Sequence, residues 1–213
     1  MKKIKQSKFK QLKIKSQRPL VIAGSLFAFA LVSSSTLGAS ALTASTTISS
    51  TLAPVITLLT TNGTVNINVT PTGAGAQTIA SDTVTVSTND SAGYTLQLAE
   101  TAASGNLVSG GNTITGSSGS QAVPAVMAVN TWGYRVDSLG GFGAGPTSPA
   151  TNAAISGTIK FAAVPATASP NTLKTTATTA TNDTTTVWYG VAANTTQPTG
   201  TYTNSVTYTA TAN

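Results

Sequence analysis

The sequence predicts an all-β chain: an antiparallel β-sandwich of about seven to nine strands, preceded by an export signal. Three observations predict it. Six segments alternate apolar and polar residues with a period of two. Turn-forming clusters (Asn62-Gly63, Pro71-Thr72-Gly73, Asn89 to Gly93, Gln197 to Gly200) stand beside those segments. Beyond the N-terminal region no segment carries a sustained apolar stripe of helical period. Period-two patterning gives a strand one face for a core and one for water.

The N-terminus comes first. Residues 1–19 hold eight of the eleven Lys and Arg, and residues 20–32 (LVIAGSLFAFALV) are 13 uncharged, mostly apolar positions. Small residues follow, and Ala39-Ser40-Ala41 fits an A-x-A cleavage pattern. Basic, apolar, small is the order of a secretory signal peptide. Cleavage is expected after Ala41, giving a signal peptide over 1–41 and a single mature domain over 42–213. The apolar run is short of the ~20 residues that cross a bilayer, so the only membrane contact expected is through the signal segment before cleavage. The C-terminal SVTYTATAN carries no basic tail and no covalent sorting motif. Retention at a surface is therefore expected to be non-covalent.

Within the mature chain the strands read in order. Ile48 to Leu59 is a first strand, which Pro54 confines to an edge or a bulge. Val65, Ile67 and Val69 alternate with Asn66 and Asn68; Val84 and Val86 alternate with threonines; Tyr94, Leu96 and Leu98 follow. A short strand fits Asn112 to Thr115. Then come Trp132, Tyr134 and Val136, and, after a gap, Val187, Tyr189 and Val191, with Tyr202, Val206 and Tyr208 at the end. Threonine on the outer faces suits the pleat through its branched Cβ. By this alternation Tyr94, Trp132, Tyr134, Tyr189, Tyr202 and Tyr208 face inward as core aromatics. Trp188 falls on the opposite side, where it is either exposed as a ligand or partner contact or covered by the 138–183 segment. Residues 138–183, with Pro146, Pro149, Pro165 and Pro170, read as a long irregular insertion, with one short strand near Ile159 to Val164. Its glycine-rich stretch 140–146 places Phe142 at a loop tip, a second candidate contact.

Charge and missing residue types exclude whole classes of function. The formal net charge is +6. Beyond Pro19, however, Arg135, Lys160 and Lys174 face Asp82, Asp90, Glu100, Asp137 and Asp183, a balance of 3 − 5 = −2. Three cations cannot neutralise a nucleic-acid backbone. The chain has no cysteine and no histidine, which removes disulfides, thiol nucleophiles, zinc ribbons, imidazole metal sites and a Ser-His-Asp triad. Asp82, Asp90 and Glu100 lack calcium-ligand spacing, and Asp90 is expected to fix its turn. No catalytic residue, metal or cofactor is expected. With Lys160 and Lys174 both in the irregular region, a lysine–asparagine cross-link is not expected either.

Two blocks carry a family resemblance. Val84-Thr-Val-Ser-Thr-Asn-Asp-Ser-Ala-Gly-Tyr-Thr-Leu-Gln-Leu98 and Gln197-Pro-Thr-Gly-Thr-Tyr-Thr-Asn-Ser-Val-Thr-Tyr-Thr-Ala210 resemble secreted β-sandwich proteins of bacterial surfaces. The pattern is that of the WxL-type cell-wall-binding domain, and the second block is also similar to spore-coat-U and fimbrial subunit domains. The two Trp-x-Leu positions are here Tyr94-Thr95-Leu96 and Tyr208-Thr209-Ala210. The resemblance implies an immunoglobulin-like sandwich, located extracellularly at a bacterial cell surface. It implies a non-enzymatic role in adhesion or non-covalent cell-wall association, with cell-wall polysaccharide or another surface protein, self included, as partner. The alternative is a structural subunit of a pilus-like fibre or surface array assembled by strand addition. The uncharged segment 42–60 would then be the one donated.

Overall fold

The computed structural model describes residues 42–101 and 104–213; the expected signal peptide lies outside the described residues. The chain divides into two units, 1–49 and 50–213. Of the first, residues 42–49 are exposed and belong to no regular element. The second is all-β among the described residues.

Its twelve strands are β1 (Ile56–Thr60), β2 (Ala76–Thr88), β3 (Tyr94–Glu100), β4 (Leu107–Ser109), β5 (Asn112–Gly116), β6 (Ala125–Val126), β7 (Thr131–Arg135), β8 (Ala150–Ala153), β9 (Lys160–Phe161), β10 (Asn171–Thr175), β11 (Ala180–Ala193) and β12 (Val206–Ala212). The count exceeds the expected seven to nine because short strands of two to four residues, such as β4, β6, β8 and β9, carry no periodic signal.

The longest strands, β2 and β11, pair antiparallel and form the centre of a large sheet ordered β1-β2-β11-β7-β5-β4. β5 joins β7 in parallel, so the sheet is mixed. A smaller sheet, β10-β3-β12, supplies the other side of the main core. Val84, Val86 and Val187 of the large sheet share a buried cluster with Tyr94, Leu96, Leu98 and Leu173 of the small one. Alternation decides who enters that cluster. Between the core residues, Thr83, Thr85, Thr95 and Gln97 are half-exposed. The arrangement is sandwich-like, with the large sheet curled at one end. There Val108 and Thr203 exchange two backbone hydrogen bonds of 3.0 Å, linking β4 to the segment that leads into β12.

The outer face of the large sheet does not lie open to water, which decides for the covered alternative at Trp188. Trp188 is 6% exposed and packs in a second apolar cluster with Ile79, Met127, Phe161 and Ala192. Gly190 makes this layer possible: a Cβ there would stand 2.8 Å from both Met127 Cε and the Phe161 ring. Phe142 is not a loop tip. It is buried, with its ring edge-on to Tyr134 at 5.7 Å between centroids and under the Arg135 guanidinium. Arg135, which alternates with Trp132, Tyr134 and Val136 and so faces away from the main core, is fully buried and donates to the carbonyls of Lys160, Phe142 and Gly143 and to Asp137. Residues 138–183 are irregular over most of their length, and the short strand expected near Ile159 to Val164 is β9. They supply β8 to the edge of β2, β9 to the outer layer and β10 to the small sheet. Period-two reading assigns a residue to a side of a sheet; it cannot tell that a second layer covers that side.

Candidate functional site: a groove beside the last strand

Within the 50–213 unit the ring of strands stays open beside β12. β12 pairs β3 on one side, and its other edge has no partner strand among the described residues. Across from that edge runs Thr64 to Val69. It alternates half-buried Val65, Ile67 and Val69 with exposed Asn66 and Asn68, the burial pattern of a strand. Yet it forms no ladder.

The cause lies on the β2 edge. β1 pairs Ile56 with Thr88 and Thr60 with Val84. Continuing that register would set Val65 opposite Ile79, but β8 already holds that edge, with Ala150 opposite Ile79. Asn62-Gly63 breaks the strand, and the chain swings away. Side chains then tether it: the Thr78 hydroxyl donates to Asn68 O at 2.8 Å, and Thr70 N–H donates to Asn152 Oδ1 at 2.6 Å. Asn152 takes a left-handed conformation (φ 51°), one asparagine tolerates better than most residues.

The opposite rim is set by the Pro198-Thr199-Gly200 turn. Tyr202 donates its hydroxyl to Pro198 O at 2.7 Å and accepts from Gln197 Nε2 at 2.8 Å, fixing the approach to β12. Between the rims lies a groove of about 860 Å³. Its apolar lining comes from the main core, notably Ile114, Trp132, Val191 and Val206.

One end of the floor is polar. The hydroxyls of Tyr189 on β11 and Tyr208 on β12 meet at 2.8 Å across the two sheets. Asp82, 3% exposed, lines the groove with both of them. Its Oδ1 accepts the Asn62 N–H at 3.0 Å. Burial holds both phenols protonated well above the ordinary tyrosine range, and the Asp82 carboxylate adds to that in each.

The residues singled out in the sequence scatter with respect to this groove. Trp132, Tyr189, Tyr202 and Tyr208 line it; Tyr94 and Tyr134 do not. Tyr202 and Tyr208 are half-buried and not full core members, because the groove leaves one side of each open. Trp188 and Phe142 lie away from it. Asp90 accepts the Ala92 N–H at 2.8 Å within its own turn. Lys174 lies on β10 beside Asp183. Sequence reasoning missed Asp82 as a groove residue, although its position in the alternation shares the inward face of Val84 and Val86.

No protein-family model matches the chain, and neither a curated protein nor a solved structure matches it.

Proposed function

We propose that the chain is a secreted, non-enzymatic surface protein of immunoglobulin-like sandwich fold, and that it serves as a structural subunit assembled by strand addition. The observation that carries this reading is the open groove between the free edge of β12 and the unladdered segment 64–69. An added strand would satisfy main-chain groups on both rims and place alternate side chains on the apolar floor.

The chain carries a segment suited to that role. From 42 to 52 the even positions read Leu42, Ala44, Thr46, Ile48, Ser50 and Leu52, whereas 43, 45, 47, 49 and 51 are all Ser or Thr. Ile48 is 91% and Leu52 79% exposed. Apolar surface left in water costs roughly 25 cal/mol per Å², so a second copy's groove is a favourable place for it. The eleven residues 42–52 span about 36 Å when extended, commensurate with a rim that runs from Asn62 to Val69 and includes Pro71. Adhesion or wall association through exposed aromatics has less support, because Trp188 and Phe142 are buried.

Light scattering and electron microscopy of the chain as secreted test the reading. Oligomers or fibres that grow with concentration are expected. They should be lost in an Ile48→Asp, Leu52→Asp double variant and in the rim variant Ile67→Asp. A monomer at every concentration rejects the reading.

A further inference from the structure

An apolar groove with smooth walls would let an alternating strand slide by two residues at little cost, because the side-chain period is two. The floor described above is not uniform. Asp82 is a buried carboxylate with one hydrogen bond among the described residues, from Asn62 N–H, and no ion pair. A carboxylate can accept several hydrogen bonds, so Asp82 keeps acceptor capacity toward the groove that it lines. Tyr189 and Tyr208 bond each other, and neither hydroxyl has another partner among the described residues. Whichever phenol donates, the other keeps one proton to give. The groove lining thus holds both an acceptor and a donor. A hydroxyl, which donates once and accepts once, can pair with either.

We propose that Asp82 with the Tyr189–Tyr208 pair sets the register of the incoming strand by receiving a serine or threonine hydroxyl. This rests on the reading of the groove as a strand acceptor. The even face of segment 42–52 carries two such hydroxyls, Thr46 between Ala44 and Ile48, and Ser50 between Ile48 and Leu52. A strand slipped by two would press an isoleucine, leucine or alanine onto the carboxylate, an arrangement that leaves the charge unpaired. Asp82 is in this account a specificity-determining residue, and a purely apolar strand is rejected.

The test is a double-mutant cycle. A labelled peptide spanning residues 42–53 is titrated into dilute protein as secreted, followed by fluorescence anisotropy. The peptide is used as wild type, as T46V and as S50A; the protein is used as wild type, as Asp82→Asn and as Tyr208→Phe. Asp82→Asn retains an acceptor for Asn62 N–H, and Tyr208→Phe covers the case in which that variant fails to fold. The wild-type peptide is expected to bind the protein variants about tenfold or more weakly, the loss typical of a hydrogen bond to a charged group. That loss should vanish for the peptide lacking the hydroxyl that is read, which also tells Thr46 from Ser50. A merely structural effect would weaken all three peptides alike. Since the chain has no cysteine, disulfide trapping between a cysteine in the peptide and one on the rim reports register directly. A single register should broaden to two in Asp82→Asn. Wild-type binding and a single register in both protein variants overturn the register proposal and leave the groove reading standing. Failure of the wild-type peptide to bind, with no assembly of the whole chain, overturns both.

Discussion

Lys174 on β10 and Asp183 on β11 meet at 2.5 Å, nitrogen to oxygen, so the small sheet is held to the large one by charge as well as by packing. The second carboxylate oxygen accepts the Tyr94 hydroxyl at 2.8 Å. Burial alone would raise the Asp183 pKa, but the bonds from Lys174 and Tyr94 outweigh it and hold it below the ordinary 3.8.

The two partners differ in what their removal leaves behind. Lys174→Ala removes a partly exposed ion pair, and its expected cost is under about 1 kcal/mol. Asp183→Ala also strands the buried Tyr94 hydroxyl, at about 1–3 kcal/mol. A depressed carboxylate stabilises the fold above its ordinary pKa and loses that contribution as pH falls through its folded value. Denaturant unfolding should therefore show Asp183→Ala as the weaker variant at neutral pH. Its deficit should shrink below about pH 3.8. Equal deficits for the two variants, constant with pH, would contradict this.

Trp188→Ala should behave as a core truncation, costing about 3–5 kcal/mol, as Trp132→Ala should. The two lie on opposite faces of the large sheet: Trp132 donates its indole N–H to Gly105 O in the main core, and Trp188 sits in the outer cluster. Gly190→Ala tests the outer layer separately, because its Cβ would crowd Met127 and Phe161. Overpacking of that kind costs about 1–3 kcal/mol. Thermal melts decide it. A Trp188→Ala melting temperature equal to wild type would mean that the outer layer is not formed.

The main core was legible because its residues obey one rule. Val84, Val86, Leu96 and Leu98 stand between polar or small neighbours, and all are buried. The outer layer was not, for a physical reason. It is built from two-residue strands, a proline-rich loop and glycines that admit rings, and none of these has a period. Phe142 and Phe161 look alike in sequence, each followed by glycine or alanine, yet one joins the main core and the other the outer cluster. The groove was half legible. Val65 to Val69 has the alternation of a strand, but alternation does not name a partner, and β8 takes the edge it would have used. The matching alternation of 42–52 was in the sequence to be found, hidden because threonine and serine occupy most of its positions.

Arg135 should prove the most sensitive charged residue. It is fully buried, and its guanidinium joins Asp137, on its own side of the loop, to the carbonyls of Phe142 and Gly143. Gly145 has no room for a side chain, because a Cβ there would collide with Asp137 and the guanidinium. Arg135→Met should cost about 1–3 kcal/mol or more, because it strands the carbonyls of Lys160, Phe142 and Gly143, and should open residues 138–146 to limited proteolysis. Gly145→Ala should reproduce the protease sensitivity with a smaller loss of stability. A loop that stays resistant in both variants would show that apolar packing of Phe142 alone holds it.

Alkaline unfolding should be driven by tyrosine. Burial is the leading cause of a raised pKa at Tyr94, Tyr134, Tyr189 and Tyr208. Tyr134 is pushed up to about 12, with the Asn171 amide pulling weakly the other way. At Tyr94 the Asp183 carboxylate, accepting its proton, adds to the burial. In the unfolded chain these phenols titrate near the ordinary value of 10.0. Below that pH both states are protonated and stability is unaffected. Above it the unfolded chain releases protons that the folded chain keeps, so stability falls steadily as pH rises toward the folded values. Phenolate absorbance and the circular dichroism of the strands, followed together, check this. Phenolate should appear between about pH 10 and 12 in one cooperative step with loss of the β signal. Reversible ionisation of these four tyrosines near the ordinary pKa, with the β signal intact, would mean that water reaches them in the folded chain and that the core between the two sheets is not closed.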